Sequence, residues 1–109
     1  MTSKVRVDMA ICDHKTLIEA EAQEDGTVKV KIRSTCRDVR DFAKSLPPLT
    51  AEDYTSLQGS RVMDLAAHSR LTPTCLIPTA IFNVVWEEVG MISKRHALRE
   101  KSICIYFEE

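Results

Sequence analysis

The segment "EDGTVKVKIRSTCRDVRDFAKSL", residues 24–46, decides the fold, because the chain changes its period inside it. Asp25-Gly26 is a dipeptide of the kind that closes a two-stranded hairpin. After it Val28, Val30 and Ile32 alternate with Lys29, Lys31 and Arg33, the period of a strand with one wet face. Past Ser34-Thr35, either of which suits a helix cap, Val39, Phe42, Ala43 and Leu46 recur at helical spacing until Pro47-Pro48 stops the run. A strand therefore passes directly into a helix. Cys36 stands in the first turn of that helix and on its apolar stripe.

Toward the N-terminus the strand period continues. "KVRVDMAI" (4–11) sets Val5, Val7, Met9 and Ile11 against Lys4, Arg6 and Asp8. "TLIEAEAQ" (16–23) sets Ile18, Ala20 and Ala22 against Glu19 and Glu21. The acidic row of this strand and the basic row of the next are expected to pair across the hairpin, which fixes register and implies no ligand. Between the first two strands, "CDHK" (12–15) holds Cys12 and His14.

Toward the C-terminus, Thr50 ahead of Ala51-Glu52-Asp53 reads as a capped start with acid in its first turn. Gly59 interrupts, and "SRVMDLAAHSRL" (60–71) resumes with Val62, Leu65, Ala66 and Leu71, giving two short helices. Pro73 and Pro78 bracket the next loop, and Pro78 suits the first helical position, where its missing N–H costs nothing. Ile81, Val84, Val85 and Val89, with Phe82 and Trp86, mark a central buried helix ending at Gly90. "SKRHALREK" (93–101) is expected to be a solvated connection. "KSICIYFEE" (101–109) alternates again, with Ile103, Ile105 and Phe107 opposed to Cys104 and Tyr106, and is expected to pair with the N-terminal strands. The expected fold is α+β: a largely antiparallel sheet of three N-terminal strands plus a C-terminal strand, with three to four helices on one face, in a single domain over 1–109.

Composition bounds the function classes. With 109 residues, 44% hydrophobic and 28% charged, the chain has the make-up of an ordinary globular domain. A formal net charge of -1 argues against a nucleic-acid or anionic-membrane footprint. No apolar run reaches bilayer length and "MTSKVRVD" lacks a signal-peptide core, so a cytoplasmic chain is expected, free to take a protein partner or to self-associate. Ser–His–Asp patterns, H-E-x-x-H, G-x-G-x-x-G and the P-loop are all absent, and no residue is assigned as catalytic. His68 reads as a surface partner of Asp64, His96 as solvated, and Glu87-Glu88 as the wet side of the central helix.

What chemistry there is lies in the cysteines. Those at 12, 36, 75 and 104 form no C-x-x-C pair, and a cytoplasmic setting keeps them reduced. Cys36 and Cys75 fall at or just before helix starts, where free N–H groups and the helix dipole favour a thiolate. If Cys12 reaches the same edge, three thiolates with His14 or an outside fourth ligand would suit zinc or an iron–sulfur cluster. Against this stands the plainer role of cysteine as a small buried hydrophobe, in a structural or protein-interaction domain without metal. A thiol-redox protein is the third reading. Cys104, on the opposite side of its strand from Ile103 and Ile105, is assigned a structural role.

The ordered trio of a strand-end Cys12, "STC" with Cys36 opening a helix, and "CLIP" with Cys75 and Pro78 resembles a family of small bacterial and archaeal proteins of unknown function. The corresponding segments there read Cys-Gly-Phe, Ser-x-Cys and Cys-Pro-x-Pro. This chain departs in having "CDH" for the glycine-containing motif, Leu76 at a proline position, and a longer "GMISKRHALREKS" connection. The resemblance implies a shared site for Cys12, Cys36 and Cys75, leaves Cys104 outside it, and supplies no activity.

Overall fold

In the computed structural model, which describes residues 2–109, the three alternating segments become strands β1 (Thr2–Met9), β2 (His14–Ala22) and β3 (Val28–Ser34). They form one antiparallel sheet in the order β1-β2-β3. The register does what the charge rows require: Glu19 lies between Lys4 and Lys31, and Glu21 faces Lys29. This charged face is wet. The other face carries Val7, Ile18, Ala20 and Val28, all buried.

Helix α1 (Arg37–Ser45) buries Val39 and Phe42, and after the two prolines Leu49 exchanges both backbone hydrogen bonds with Val28 at 2.9 Å. Then come α2 (Ala51–Tyr54) and α3 (Arg61–Ala67). The turn between them is locked by Asp53, 4% exposed in its side chain. Its carboxylate accepts from the Thr50 N–H and hydroxyl, from the Arg61 N–H, and from the Arg61 guanidinium at 2.6 Å.

Helix α4 (Ile77–Glu88) lies over β1 and β2. Ile77, Ile81, Val84 and Val85 recur on one face at i, i+4, i+7 and i+8, and all are fully buried. Each such side chain contributes about 1.5–3 kcal/mol on burial. Gly90, at φ 82, ends the helix in a left-handed turn, with Met91 N–H on the Trp86 carbonyl at 2.8 Å and Gly90 N–H on the Glu87 carbonyl at 3.3 Å.

The structure corrects the expected layout in four places. β1 stops at Met9, and Ile11 is 82% exposed because it falls inside the turn at 10–13, which Asp13 (φ 57) completes. The basic connection contains a helix, α5 (Lys94–Glu100), with Ser93 capping the His96 N–H at 3.2 Å; it buries no residue, so no apolar stripe announces it. The helices therefore number five among the described residues, not three to four. Residues 101–109 form no strand and are exposed throughout, so the sheet has three strands and Cys104 has no structural setting.

The Arg61 guanidinium beside Asp53 holds its carboxyl far below the usual carboxylate range, with the N–H groups of Thr50 and Arg61 adding to the effect. A depressed folded value means that this contribution is complete above the unfolded carboxyl's value of about 3.9 and is lost as pH falls through the lower folded value. Asp53→Asn should lower stability by about 1–3 kcal/mol at neutral pH in urea unfolding and flatten the decline of stability below about pH 4. An unchanged urea midpoint would show that the latch is not needed.

Candidate functional site

The sheet topology gathers two chain reversals, after β1 and after β3, at one end. β1 ends where β2 begins, and β3, parallel in direction to β1, ends beside the start of β2. Cys12 lies in the first of these turns, exposed, its thiol within 3.7 Å of the Met9 carbonyl. Cys36 follows the end of β3. Thr35 ties the two turns together: its N–H donates to the Lys15 carbonyl at 3.1 Å, and its hydroxyl accepts from the Lys15 N–H at 3.1 Å and contacts His14 Nδ1 at 2.9 Å.

The helix ahead of Cys36 starts differently from the expectation. Neither Ser34 nor Thr35 is the capping residue; Cys36 is. Ser34 instead accepts the Cys36 N–H at 3.1 Å and shares a 2.7 Å hydrogen bond with Thr16. The Cys36 sulfur makes no capping hydrogen bond. Half-buried, it packs against the core.

Cys75 is brought to the same end by α4. At the far end of that helix Glu88 accepts from Ser3 at 2.8 Å and from the Ala22 N–H at 3.0 Å, which pins the helix C-terminus to the start of β1 and the end of β2. Twelve helical residues return about 18 Å along the strands, to the end that carries Cys12 and Cys36. Cys75 sits two residues ahead of the helix, half-buried, its N–H on the Thr72 carbonyl at 3.0 Å.

The electrostatics of Cys75 report the same gathering and correct one expectation. Burial pushes its thiol up, and the charges of Cys36 and Cys12 push it further; the Ile77 N–H at the helix start opposes them and does not prevail. Desolvation outweighs the helix dipole here, so burial keeps the Cys75 side chain a thiol rather than activating it. Among the described residues, no three His, Cys, Asp or Glu side chains already stand in a ligating group.

The remaining candidates lie elsewhere. Cys104 is on the exposed segment after α5. His68 Nδ1 contacts the Asp64 carbonyl at 2.7 Å, a backbone contact at a helix end rather than a pair with the Asp64 carboxylate. Glu87 is buried and Glu88 braces the sheet, so neither forms a wet helix face. An open groove of about 180 Å³ between Tyr54, Leu57, Phe82 and Trp86 carries no carboxylate, imidazole or thiol. Asp53 and Glu88, the two carboxylates with most structural consequence, read in the sequence only as first-turn acid and as a wet helix residue; the Thr50-x-x-Asp53 spacing is the one signal of a bracing role.

The class defined by these features is a small two-layer α+β domain with three thiols at one end of its sheet. The chain belongs to a family of unknown function, DUF6951, whose model matches residues 3–99. That span includes Cys12, Cys36 and Cys75 and ends before Cys104. No curated protein and no solved structure matches the chain.

Exposure orders the thiols by reactivity. Brief treatment of native protein with iodoacetamide should label Cys12 and Cys104, with Cys75 lagging far behind because it is both partly buried and held protonated. Peptide mapping that found Cys75 labelled as fast as Cys12 would contradict this order.

Proposed function

We propose that this protein is a small metal-binding module that takes zinc or an iron–sulfur cluster on Cys12, Cys36 and Cys75, with His14 as a neighbouring donor. The topology supports the reading: one turn and two helix starts, far apart in sequence, bring one cysteine each toward the same end of the sheet. Soft thiolates select such metals, and a three-thiolate set leaves a position for a fourth ligand. Cys36 and Cys75 are set against the core and give a firm base. Cys12 rides an exposed turn held at its sulfur by one weak contact, so that turn is the part that closes onto the metal. His14 Nδ1 is occupied by the Thr35 hydroxyl, which leaves Nε2 for coordination.

A second reading has its own support. Cys36 and Cys75 both pack against the hydrophobic core, as thiols that merely fill space would. On that reading the chain is a structural or interaction domain without metal.

Titration with Co(II) under anaerobic, chelator-free conditions separates the two. The metal reading expects one equivalent bound with thiolate-to-cobalt charge-transfer absorption, weakened more than about 100-fold by Cys36→Ser or Cys75→Ser and unchanged by Cys104→Ser. Absence of the charge-transfer band, or equal behaviour of the Cys75→Ser and Cys104→Ser variants, would leave the thiols as packing. Folded content is read in parallel by circular dichroism.

A further inference from the structure

The sheet has two edges, and they differ. Val28 directs its N–H and C=O away from β2, to Leu49. Antiparallel ladders alternate strictly, so the outward-facing residues of β3 are Val28, Val30, Ile32 and Ser34. That edge is closed at one end by Leu49 and at the other by Arg40, whose guanidinium donates to the Ser34 carbonyl at 3.1 Å. The same alternation carried across β2 makes Thr2, Lys4, Arg6 and Asp8 the outward-facing residues of β1. Among the described residues, nothing hydrogen-bonds the outward backbone groups of Lys4, Arg6 or Asp8. β1 is an open edge, the kind that recruits a strand.

The chain also carries a strand with no sheet. Ile103, Ile105 and Phe107 alternate with Cys104 and Tyr106, and they are 85%, 67% and 82% exposed. Water covers three large apolar side chains that the strand period would place on one face. This segment leaves α5, whose packing partner is α4, and touches no part of its own sheet closely enough to pair.

We propose that residues 103–108 of one copy add as an antiparallel strand to the β1 edge of a second copy, and that the exchange is reciprocal. The pleat admits only registers in which Ile103, Ile105 and Phe107 share the helix-side face with the odd-numbered residues of β1. One of these sets Phe107 beside Val5, Ile105 beside Val7 and Ile103 beside Met9, extending the apolar face on which α4 lies. The wet face agrees with it: Glu108 falls opposite Lys4, and Tyr106 opposite Arg6, where a cation meets an aromatic face. A single two-fold axis fills both open edges at once and leaves both folds unchanged. The inference does not depend on any metal at the thiol end.

Light scattering on the full chain under reducing conditions tests it. A dimer is expected, dissociating to monomer in Ile105→Lys, a change in an exposed segment that leaves the helical circular dichroism signal intact. A wild-type monomer at high micromolar concentration would overturn the proposal, as would a dimer indifferent to Ile105→Lys. The stated register places Cys104 opposite Asp8, at the Cα separation of about 5.5 Å that a disulfide tolerates. Asp8→Cys treated with oxidised glutathione should therefore run as a covalent dimer, with position 8 joined to Cys104 in its peptide map. The same link found at monomer mass would mean that the strand closes on its own sheet, and the exchange would be wrong.

Discussion

The seating of α4 on β1 and β2 is the constraint on which the rest depends. Its fully buried stripe of Ile77, Ile81, Val84 and Val85 covers the sheet face that carries Ile18 and Ala20. Removing either layer would expose the other, since each holds the apolar half of the same core. Glu88 extends that stripe by one turn and converts it from apolar to polar contact where the sheet ends. The helix is thereby fixed along its axis as well as against the sheet. Cys75 and Pro78 have defined positions only because of this.

The strands, their order and their charge rows were legible in the sequence because period-2 alternation reports a half-buried strand directly. Val28, Val30 and Ile32 against Lys29, Lys31 and Arg33 left little choice, and Gly26 at φ 88 sits where Asp25-Gly26 placed the turn. The same reasoning misled at 101–109. Alternation states that a segment is competent to be a strand; whether an edge lies within reach is a tertiary matter that no local pattern records. Helix α5 failed to show for the opposite reason. It has a cap and good helix formers but no buried face, and burial is what makes helical period visible.

At the thiol end the division is similar. That Cys36 begins a helix and Cys75 precedes one could be read from Pro47-Pro48, Pro78 and the apolar spacing. Their gathering with Cys12 could not, because it follows from strand directions and from the length of α4. The protonation of Cys75 departs from the helix-start expectation for a physical reason. A helix start favours the thiolate, but the same residue lies against Leu76, Ile77 and the core, and the cost of desolvating a charge there is larger. Carboxylates were harder still. Glu88 looks like any surface glutamate until the ends of two strands are placed beneath it.

Because α4 is anchored at both ends, it acts as a ruler. One residue inserted between Ile77 and Glu88 would rotate everything beyond it by about 100° and lengthen the helix by about 1.5 Å. Glu88 could then keep its grip on Ser3 and Ala22 only by turning Cys75 away from Cys36, or the reverse. Extra residues in the turns at 23–27 or 55–59 would leave this spacing untouched, whereas the count from Cys75 to Glu88 is set by geometry rather than by the chemistry of any residue within it.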